Sequence, residues 1–325
     1  MGDLPMPPVA HLHVHLESAF RWSTLTEIAA ANGVAAPPGD RPFNGFGDFF
    51  DRGHLVRECL RRPDDFRRIA VEFCEDQVAE GVGYVEVSFT AAAHGERLGD
   101  LDMPLAAVLD GLAEGGERHG LSWRVVLDTS RRRSVDRAWR TLDLARRHPQ
   151  VVAVGLAGDE DYPAEPFAEV FAAAREAGLH IVHHAGEAAG AASIRSALDI
   201  GLTERLGHGI RVLDDPDLAA EVRERQIPLE VCPTSNVALG FAPSLAAHPL
   251  PRLRAAGLAV TLNTDIPAMI NTSLPTEYAA AAQTFDWTTT DLAALAQASV
   301  EASFADPPTK ERLAQAITAW RVQAL

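Results

Sequence analysis

Cysteine and lysine are both scarce in this sequence. The three cysteines, Cys59, Cys74 and Cys232, are odd in number and show no C-x-x-C spacing, which argues against a disulfide framework and against a cysteine-based zinc site. We expect all three to be buried thiols. Lys310, close to the C-terminal end, is the only lysine among 29 basic residues, so arginine supplies almost all of the positive charge.

Long apolar runs are also missing. None approaches the roughly 20 residues of a membrane-spanning helix, and the first residues lack the charged-then-apolar pattern of a secretory signal, so we expect a cytoplasmic protein with no membrane partner. Acidic residues outnumber basic ones by 45 to 29, and the formal net charge is -16. This charge disfavours binding to nucleic acid and fits a small-molecule substrate better. The sequence indicates no oligomeric state.

Short apolar runs alternate with longer amphipathic segments along the whole chain, as in βα units around a parallel sheet. Eight such runs suit a closed (β/α)₈ TIM barrel, and they cover residues 9–15, 82–90, 121–128, 151–157, 179–184, 205–208, 228–232 and 258–264. The segments that we predict as crossover helices are 65–80, 104–119, 134–147, 164–177, 215–225 and 291–302.

The length of 325 residues, 47% of them hydrophobic, suits one large α/β domain. We therefore assign residues 1–325 to a single barrel domain. The stretch 19–62 between the first two runs is longer than an ordinary connection. We predict that it forms a lid over the active site.

A histidine pair in the first run is the first sign of a metal site. Side chains alternate across a strand, so His13 and His15 project from one face, roughly 6–7 Å apart. The pair alone is equally compatible with hydrogen-bonded core histidines. However, His184, His208 and Asp265 end the fifth, sixth and eighth runs, and barrel active sites are built at such strand ends.

Imidazoles with one carboxylate suit a divalent ion of zinc type, and an open position would leave room for an activated water. Glu187 lies three residues beyond His184, where it could transfer protons. The alternative for Glu187 is a carboxylate in the first turn of a helix, where the helix dipole favours it. We weight the catalytic interpretation higher because a candidate ligand precedes Glu187 so closely.

The remaining histidines have other expected places. His11 shares the face of His13 but lies one layer deeper, so we expect it to be packed or hydrogen-bonded. His183 should point away from His184, toward the helices. We expect the others to be structural or solvated and to lack a matching partner: His54, His94, His119, His148, His180 and His248.

Six short segments occur in the order that is typical of one enzyme family. They are LHVHLE (12–17), LAGDE (156–160), HAGE (184–187), RLGHG (205–209), CPTSN (232–236) and NTD (263–265). With them the chain resembles the adenosine deaminase family of the amidohydrolase superfamily. The resemblance implies a barrel hydrolase that replaces the amino group of an aminopurine-like substrate with oxygen and releases ammonia. It also implies one Zn²⁺ per chain, with His13, His15, His184 and Asp265 as ligands.

The resemblance implies further roles at matching positions. Glu187 would protonate the ring nitrogen beside the amino-bearing carbon, and His208 would orient or deprotonate the attacking water, which Asp265 also contacts. Gly158 would offer its backbone N–H to a ring nitrogen, and Glu17 would contact the sugar end of the substrate. Similar binuclear enzymes bridge two metals with a carboxylated lysine on a central strand. Because Lys310 lies outside the predicted strands, we expect a mononuclear site.

The chain departs from the family pattern after the last predicted strand. The family reads Asn-Thr-Asp-Asp-Pro or Asn-Ser-Asp-Asp-Pro, whereas this chain has Ile266 in place of the second aspartate. In the family that aspartate hydrogen-bonds N7 of the purine, which isoleucine cannot do. Leaving a buried polar partner unsatisfied costs about 1–3 kcal/mol, roughly 5- to 150-fold in discrimination. His11, Ser18 and Gly155 also replace residues that are common in the family.

We therefore expect a deaminase with non-standard specificity, acting on an amino-substituted purine-like nucleoside or base whose position 7 is not an exposed acceptor. A 7-deazapurine would meet this condition. Two alternatives stay open. One is ordinary deamination of adenosine, adenine or aminodeoxyfutalosine, and the other is a catalytically silent family member that binds a nucleoside. Retention of all presumed ligands together with Glu187 and His208 argues against the silent protein.

Overall fold

Eight parallel strands form the centre of the molecule. In the computed structural model, which describes residues 6–39 and 42–323, neighbouring strands pair in the order β1 to β8. Their bounds are β1 Val9–His15, β2 Val82–Phe89, β3 Ser122–Ser130, β4 Val151–Ala157, β5 His180–Ala185, β6 Arg205–His208, β7 Leu229–Val231 and β8 Val260–Leu262. Most strand residues are buried, as expected of a parallel sheet that is covered by helices. The predicted (β/α)₈ barrel is confirmed.

Helices follow every strand and cover the outside of the barrel. They are α1 Trp22–Ala31, α2 Gly45–Cys59, α3 Pro63–Ala79, α4 Ala91–Leu98, α5 Met103–His119, α6 Val135–Arg147, α7 Ala168–Glu176, α8 Ala191–Asp199, α9 Pro216–Glu224, α10 Pro233–Ala238, α11 Leu250–Ala255, α12 Pro267–Ile270, α13 Leu274–Phe285, α14 Thr289–Ala302 and α15 Pro307–Gln323. The six predicted crossover helices correspond to α3, α5, α6, α7, α9 and α14. Within the described ranges, no helix combines the length and the hydropathy that crossing a membrane requires.

Side-chain caps explain where several of these helices begin. Ser134 accepts a hydrogen bond from the backbone N–H of Arg137 at the start of α6. Asp215 accepts from two backbone N–H groups at the start of α9. Thr288 and Asp291 form a reciprocal capping box at the start of α14. Such caps satisfy N–H groups that have no partner inside the helix.

The barrel closes between β1 and the residues that follow β8. The backbone N–H of Asp265 donates to the carbonyl of His13 at 3.0 Å, and the N–H of His15 donates to the carbonyl of Asp265 at 2.9 Å. The side chain of Asn263 adds to this seam, because its Oδ1 accepts from the backbone N–H groups of Leu12 at 2.9 Å and His13 at 3.1 Å. The seam therefore joins the backbone of three candidate ligand residues.

The long stretch between β1 and α3 folds into α1 and α2, apart from residues 40 and 41, which lie outside the described residues. The aromatic rings near the start of α2 pack against a small apolar cluster made by Leu239, Ile266 and Met269. This stretch thus lies beside residues that follow β7 and β8. Its role as a lid stays a prediction, as does the assignment of the whole chain to one domain.

We predict that Asn263→Ala destabilises the protein because it leaves the amides of Leu12 and His13 buried without an acceptor. The expected loss is about 1–3 kcal/mol in unfolding free energy for each amide, measured by urea denaturation. Asn44→Ala is the control, since Asn44 is exposed and its side chain forms no cap; it should change stability by no more than about 0.5 kcal/mol. Equal losses in the two variants would contradict the role of the seam.

Candidate metal centre and active site

A deep pocket with a volume of about 870 Å³ opens at the carboxyl ends of the strands. It is lined by all the predicted site residues except His13: His15, Glu17, Gly158, His184, Glu187, His208, Asp265 and Ile266. His13 is buried and lies next to these residues. Its ring centroid is 4.6 Å from that of His184 and 4.8 Å from that of His208. The structure therefore brings the predicted residues together in one place.

Nitrogen and oxygen atoms converge on one point at the floor of this pocket. Possible ligand atoms of His13, His184, His208 and Asp265 all lie within 4.8 Å of one another. His15 joins them, because its Nε2 is 3.2 Å from Nε2 of His184 and 3.3 Å from Oδ1 of Asp265. Nε2 of His13 is buried and has no hydrogen-bond partner among the described residues. Converging imidazole and carboxylate atoms with one orphaned nitrogen are the donor set that a zinc ion requires.

The charges of these groups also fit a cation. Burial and the neighbouring histidines hold the pKa of His184 well below its usual value, so its ring is neutral and a lone pair is available. Burial opposes a proton on His13, but the nearby carboxylates of Asp265 and Glu230 outweigh it and raise the pKa of His13 to about 10. The floor of the pocket therefore attracts positive charge at the point where the nitrogen atoms meet.

A row of buried charged residues holds the ring of His13 in place through its Nδ1 atom. Nδ1 of His13 donates to Oε2 of Glu230 at 2.9 Å, which leaves Nε2 directed at the cluster. The other oxygen of Glu230 accepts from Nε of Arg205 at 2.6 Å, and Nη2 of Arg205 donates to Glu86 at 2.5 Å. Arg205 also stacks on the ring of Phe304, with its guanidinium carbon 3.9 Å from the ring centroid. All three charges inside the barrel are thus paired.

His15 has a carboxylate neighbour from another strand. Oδ2 of Asp128, in β3, lies 3.5 Å from Nδ1 of His15. The same carboxylate occupies the space beside Gly155 in β4, where an added Cβ would lie 2.3 Å from Oδ1 of Asp128 and 2.5 Å from the carbonyl oxygen of Val182. The glycine that replaces the common family aspartate therefore makes room for a carboxylate supplied by the neighbouring strand.

Asn236 connects the two proposed catalytic groups. Its Nδ2 donates to Oε1 of Glu187 and to Nδ1 of His208, each at 3.1 Å. His248 donates from Nε2 to Oδ1 of Asn236 at 3.1 Å, which orients the amide. Nε2 of His208 lies 3.4 Å from Oε1 of Glu187. Glu187 and His208 are thus held facing each other across a hydrogen-bonded network.

Burial affects the protonation of both groups. It raises the pKa of Glu187 well above the usual value, and the carboxylates of Asp265 and Glu160 add to this effect, so the carboxylic acid form is favoured. Burial lowers the pKa of His208 to about 3, which keeps its imidazole neutral. A buried acid beside a neutral imidazole is an arrangement suited to general acid–base chemistry.

The loop that presents Glu187 is anchored by Glu160. The carboxylate of Glu160 accepts from the backbone N–H groups of Gly186 at 2.7 Å, Glu187 at 2.9 Å and Ala188 at 2.8 Å. It also contacts the hydroxyl of Ser193 at the start of α8. The LAGDE segment after β4 therefore determines the conformation of the HAGE segment after β5.

Comparison with known proteins agrees with this arrangement. The family model described as adenosine deaminase matches residues 8–320, nearly the whole chain. The chain belongs to the adenosine deaminase family. It is accordingly a hydrolase of C–N bonds in cyclic amidines, as its relatives are.

Two curated relatives illustrate the range of substrates. A putative adenosine/adenine deaminase from Streptomyces virginiae is 36% identical over 331 residues, 98% of each chain. An aminodeoxyfutalosine deaminase from Acidothermus cellulolyticus is also 36% identical, over 85% of this chain and 82% of that protein. Equal identity to both means that overall similarity does not select between their substrates.

Solved structures show the same fold. An adenine deaminase from Arthrobacter aurescens superposes with a TM-score of 0.93 at 32% identity, over 98% of this chain and all 100% of that one. An amidohydrolase from Burkholderia ambifaria with bound Zn superposes with a TM-score of 0.87 at 26% identity, over 98% and 91% of the two chains.

In this deaminase the pocket has one apolar wall. Ile266 is only 1% exposed and belongs to a cluster with Leu239 and Met269, against which Phe46 and Phe49 of α2 pack. Ile266, Leu239 and both phenylalanines also line the pocket. The position after Asp265 thus presents hydrocarbon to a bound molecule.

Three of the histidines that were expected to lack a matching partner have one. His94 is structural, being fully buried, and its Nε2 lies 3.5 Å from Oε1 of Glu17. Nδ1 of His180 lies 2.9 Å from Oε2 of Glu204, and His248 contacts Asn236 in the network between Glu187 and His208. His11 and His183 lie as expected: His11 contacts Gln77 and Thr264, and His183 accepts a hydrogen bond from the backbone of Leu156 and packs on Phe171. The three cysteines are buried and free, as expected.

Sequence reasoning missed five residues that support the site: Asp128, Glu160, Arg205, Glu230 and Asn236. Three of them stand inside the family-like segments LAGDE, RLGHG and CPTSN, so their presence in those segments was the available signal. Glu230 could have been suspected, since a charge in the apolar run 228–232 needs a buried partner.

We predict that Glu230→Gln weakens both the fold and metal binding, because it leaves Arg205 with an incomplete set of charges and weakens the acceptor for His13. Breaking a buried ion pair costs about 3–5 kcal/mol, and loss of such a support for a metal ligand costs about 10- to 100-fold in metal affinity. Urea denaturation and competition with a zinc chelator measure the two effects.

The matched control for Glu230→Gln is Glu204→Gln, which removes a carboxylate 2.9 Å from Nδ1 of His180 in a pair that is about 40% exposed. A pair so exposed contributes at most about 1 kcal/mol. The control should bind zinc as the unmodified protein does. If Glu230→Gln behaved like the control, the row of buried charged residues would have no part in holding His13.

Proposed function

We propose that this chain is a mononuclear zinc-dependent hydrolase that converts an amino-substituted purine-like nucleoside or base to the oxo product and ammonia. His13, His15, His184 and Asp265 would hold one Zn²⁺. The observation that supports this most strongly is the buried Nε2 of His13, which has no hydrogen-bond partner in the part of the chain that the structure describes, although His13 belongs to the cluster of donor atoms. The 3.2 Å approach of the His15 and His184 nitrogen atoms adds to it.

His208 also lies among the converging atoms, but we assign it to catalysis. Its Nδ1 accepts from Asn236 at 3.1 Å, and its Nε2 lies 3.4 Å from Glu187. These contacts direct the ring toward the other catalytic group. His208 also has a left-handed backbone, with φ of 67°, a costly conformation that is common at functional sites.

Zinc in such a site brings the pKa of a bound water to about 7 and so supplies a nucleophile at neutral pH. His208 would orient this water and stabilise the alkoxide that develops from it, because its Nδ1 accepts from Asn236 and its Nε2 therefore carries the proton. Asp265 would accept a hydrogen bond from the water. Glu187, held in the acid form by burial, would protonate the ring nitrogen beside the amino-bearing carbon. Addition of water at that carbon and departure of the amino group as ammonia balance the reaction.

The walls of the pocket would orient the substrate. Gly158 adopts φ of 91°, which glycine tolerates, and its backbone N–H has no partner among the described residues, so it is free to donate to a ring nitrogen. Glu17 would contact the sugar end. Ile266 would lie against position 7 of the ring, where hydrocarbon favours a carbon over an acceptor nitrogen.

A second candidate is ordinary deamination of adenine, adenosine or aminodeoxyfutalosine. It is favoured by the names of the relatives, which act on these compounds. A catalytically silent nucleoside-binding protein is the third. An aminopurine panel separates the three, since it reports which compounds release ammonia and whether any does.

We predict that the purified protein binds one zinc per chain, and that Glu187→Gln retains the metal but loses about 10²- to 10⁴-fold in kcat, the usual contribution of a proton-transferring group. Elemental analysis and ammonia release from the panel measure the two properties. Glu169→Gln, on the exposed face of α7, is the control and should match the unmodified enzyme. Chelation should abolish turnover and added Zn²⁺ should restore it. Bound zinc without turnover of any compound would favour the silent protein.

We predict that Ile266→Asp shifts preference toward adenosine, because a carboxyl group can hydrogen-bond N7. The measure is the ratio of kcat/KM for adenosine to that for 7-deazaadenosine, which should rise by roughly 5- to 150-fold. The control is Ile270→Asp. Ile270 is half-buried and belongs to the same apolar cluster, but it does not line the pocket. This variant should leave the ratio unchanged. Strong preference of the unmodified enzyme for adenosine, or no shift in Ile266→Asp, would refute the specificity proposal.

A further inference from the structure

Arginine side chains gather at one side of the pocket mouth. Five of them line the pocket: Arg57, Arg97, Arg132, Arg133 and Arg137. They come from α2, from α4, from the loop after β3 and from the start of α6. The protein as a whole has a net charge of -16. The local excess of positive charge is therefore opposite in sign to the net charge of the protein.

Only two of these arginines are paired. Nε of Arg137 lies 2.8 Å from Glu96, and Nε of Arg97 lies 3.6 Å from Glu58. In the part of the chain that the structure describes, Arg57, Arg132 and Arg133 form no ion pair with a carboxylate.

The acidic groups at the mouth do not balance this excess. Glu96 is shared between Arg137 and Arg140, whose Nη1 is 2.7 Å from it. Glu17 and Asp51 also line the pocket, and Glu17 is close enough to Arg57 to affect its pKa. Among the described residues, three guanidinium groups without an ion pair therefore share this side of the pocket with these two carboxylates.

The arginines are close enough to affect one another. Burial lowers the pKa of Arg57, Glu17 opposes this, and repulsion from Arg133 and Arg137 adds to the fall. Arg132 lies between two rings of the pocket mouth, with its guanidinium carbon 5.8 Å from the centroid of Phe50 and 5.7 Å from that of Tyr162. A bound anion would relieve the repulsion.

The position of the group indicates which part of a substrate it would meet. Glu17, the group proposed at the sugar end, lies near Arg57 and is itself held by the backbone N–H of Thr90 at 2.9 Å. Glu17 and Arg133 are both close enough to Arg57 to affect its pKa. The group of arginines therefore reaches the proposed sugar end through Arg57.

We propose that Arg57, Arg132 and Arg133 bind an anionic group, a phosphate or a carboxylate, that the deaminated substrate carries at its sugar end. The planar guanidinium group donates two parallel hydrogen bonds to either anion, which makes it the preferred side chain for both. The inference rests on the proposed function, because the orientation of the substrate follows from the proposed metal and ring positions.

Two matched pairs of substrates test the proposal and separate the sources of charge. AMP against adenosine tests phosphate, and adenosine 5′-carboxylate against the neutral adenosine 5′-carboxamide tests carboxylate. In at least one pair the anionic member should have a kcat/KM roughly 10- to 100-fold higher, the range for hydrogen bonds to charged groups. The advantage should fall as salt is added, because the site is partly open to solvent.

The double variant Arg132→Gln/Arg133→Gln should lower that ratio by about tenfold or more, chiefly through KM of the anionic member. Arg146→Gln/Arg147→Gln is the matched control, since these adjacent arginines are equally exposed at the far end of α6 and should leave the ratio unchanged. Ratios within about twofold of unity in both pairs, or an equal effect of the two double variants, would overturn the proposal.

Binding measured without turnover separates this inference from the proposed function. The Glu187→Gln variant should bind the anionic member of the preferred pair more tightly than its neutral partner by calorimetry. If the unmodified protein released no ammonia from any compound while this difference in affinity persisted, the proposed function would fail and the anion site would stand. If the enzyme deaminated adenosine but bound both members of each pair with equal affinity, the proposed function would stand and the anion site would be refuted.

Discussion

The hydrogen bonds that close the barrel also build the active site. Asp265 exchanges backbone hydrogen bonds with His13 and His15 at the seam between β1 and the end of β8, and its carboxylate faces the rings of the same two residues. To do so it adopts a left-handed backbone with φ of 63°, which a non-glycine residue holds only where its surroundings enforce it. The histidines and the carboxylate therefore reach their positions only when the last strand meets the first.

Charge is arranged along the depth of the pocket. Inside the barrel, Glu86, Arg205 and Glu230 form a buried chain that ends on His13. The floor combines carboxylates with the neutral imidazoles of His184 and His208 and so favours a cation. Above the floor, the wall that contains Ile266 is apolar. Arg57, Arg132 and Arg133 line the mouth and form no ion pair among the described residues. A molecule that is polar at one ring edge, apolar along the ring and anionic at its far end would complement each level in turn.

Particular elements show how far sequence reasoning reaches. The predicted runs 9–15, 151–157 and 205–208 coincide with β1, β4 and β6. Burial on both faces makes β4 apolar throughout, whereas β1 and β6 also carry the histidine and arginine side chains of the site. The last run was predicted to end at residue 264, but β8 ends at Leu262, since the side chain of Asn263 and the left-handed Asp265 take over the pairing with β1. Helices α4 and α8, of 8 and 9 residues, were not predicted, because each completes little more than two helical turns.

The sequence by itself determined the barrel, the family and the set of residues that meet at its mouth, because strand periodicity and the order of strand ends are local properties. Only the tertiary structure decided which groups support them. Asp128 reaches the space beside Gly155 from a neighbouring strand, and His248 reaches Asn236 from a loop that shows no motif. The same holds for the arginines at the mouth, which come from separate elements. Contacts of this kind depend on distances across the barrel, and no local pattern in a sequence encodes them.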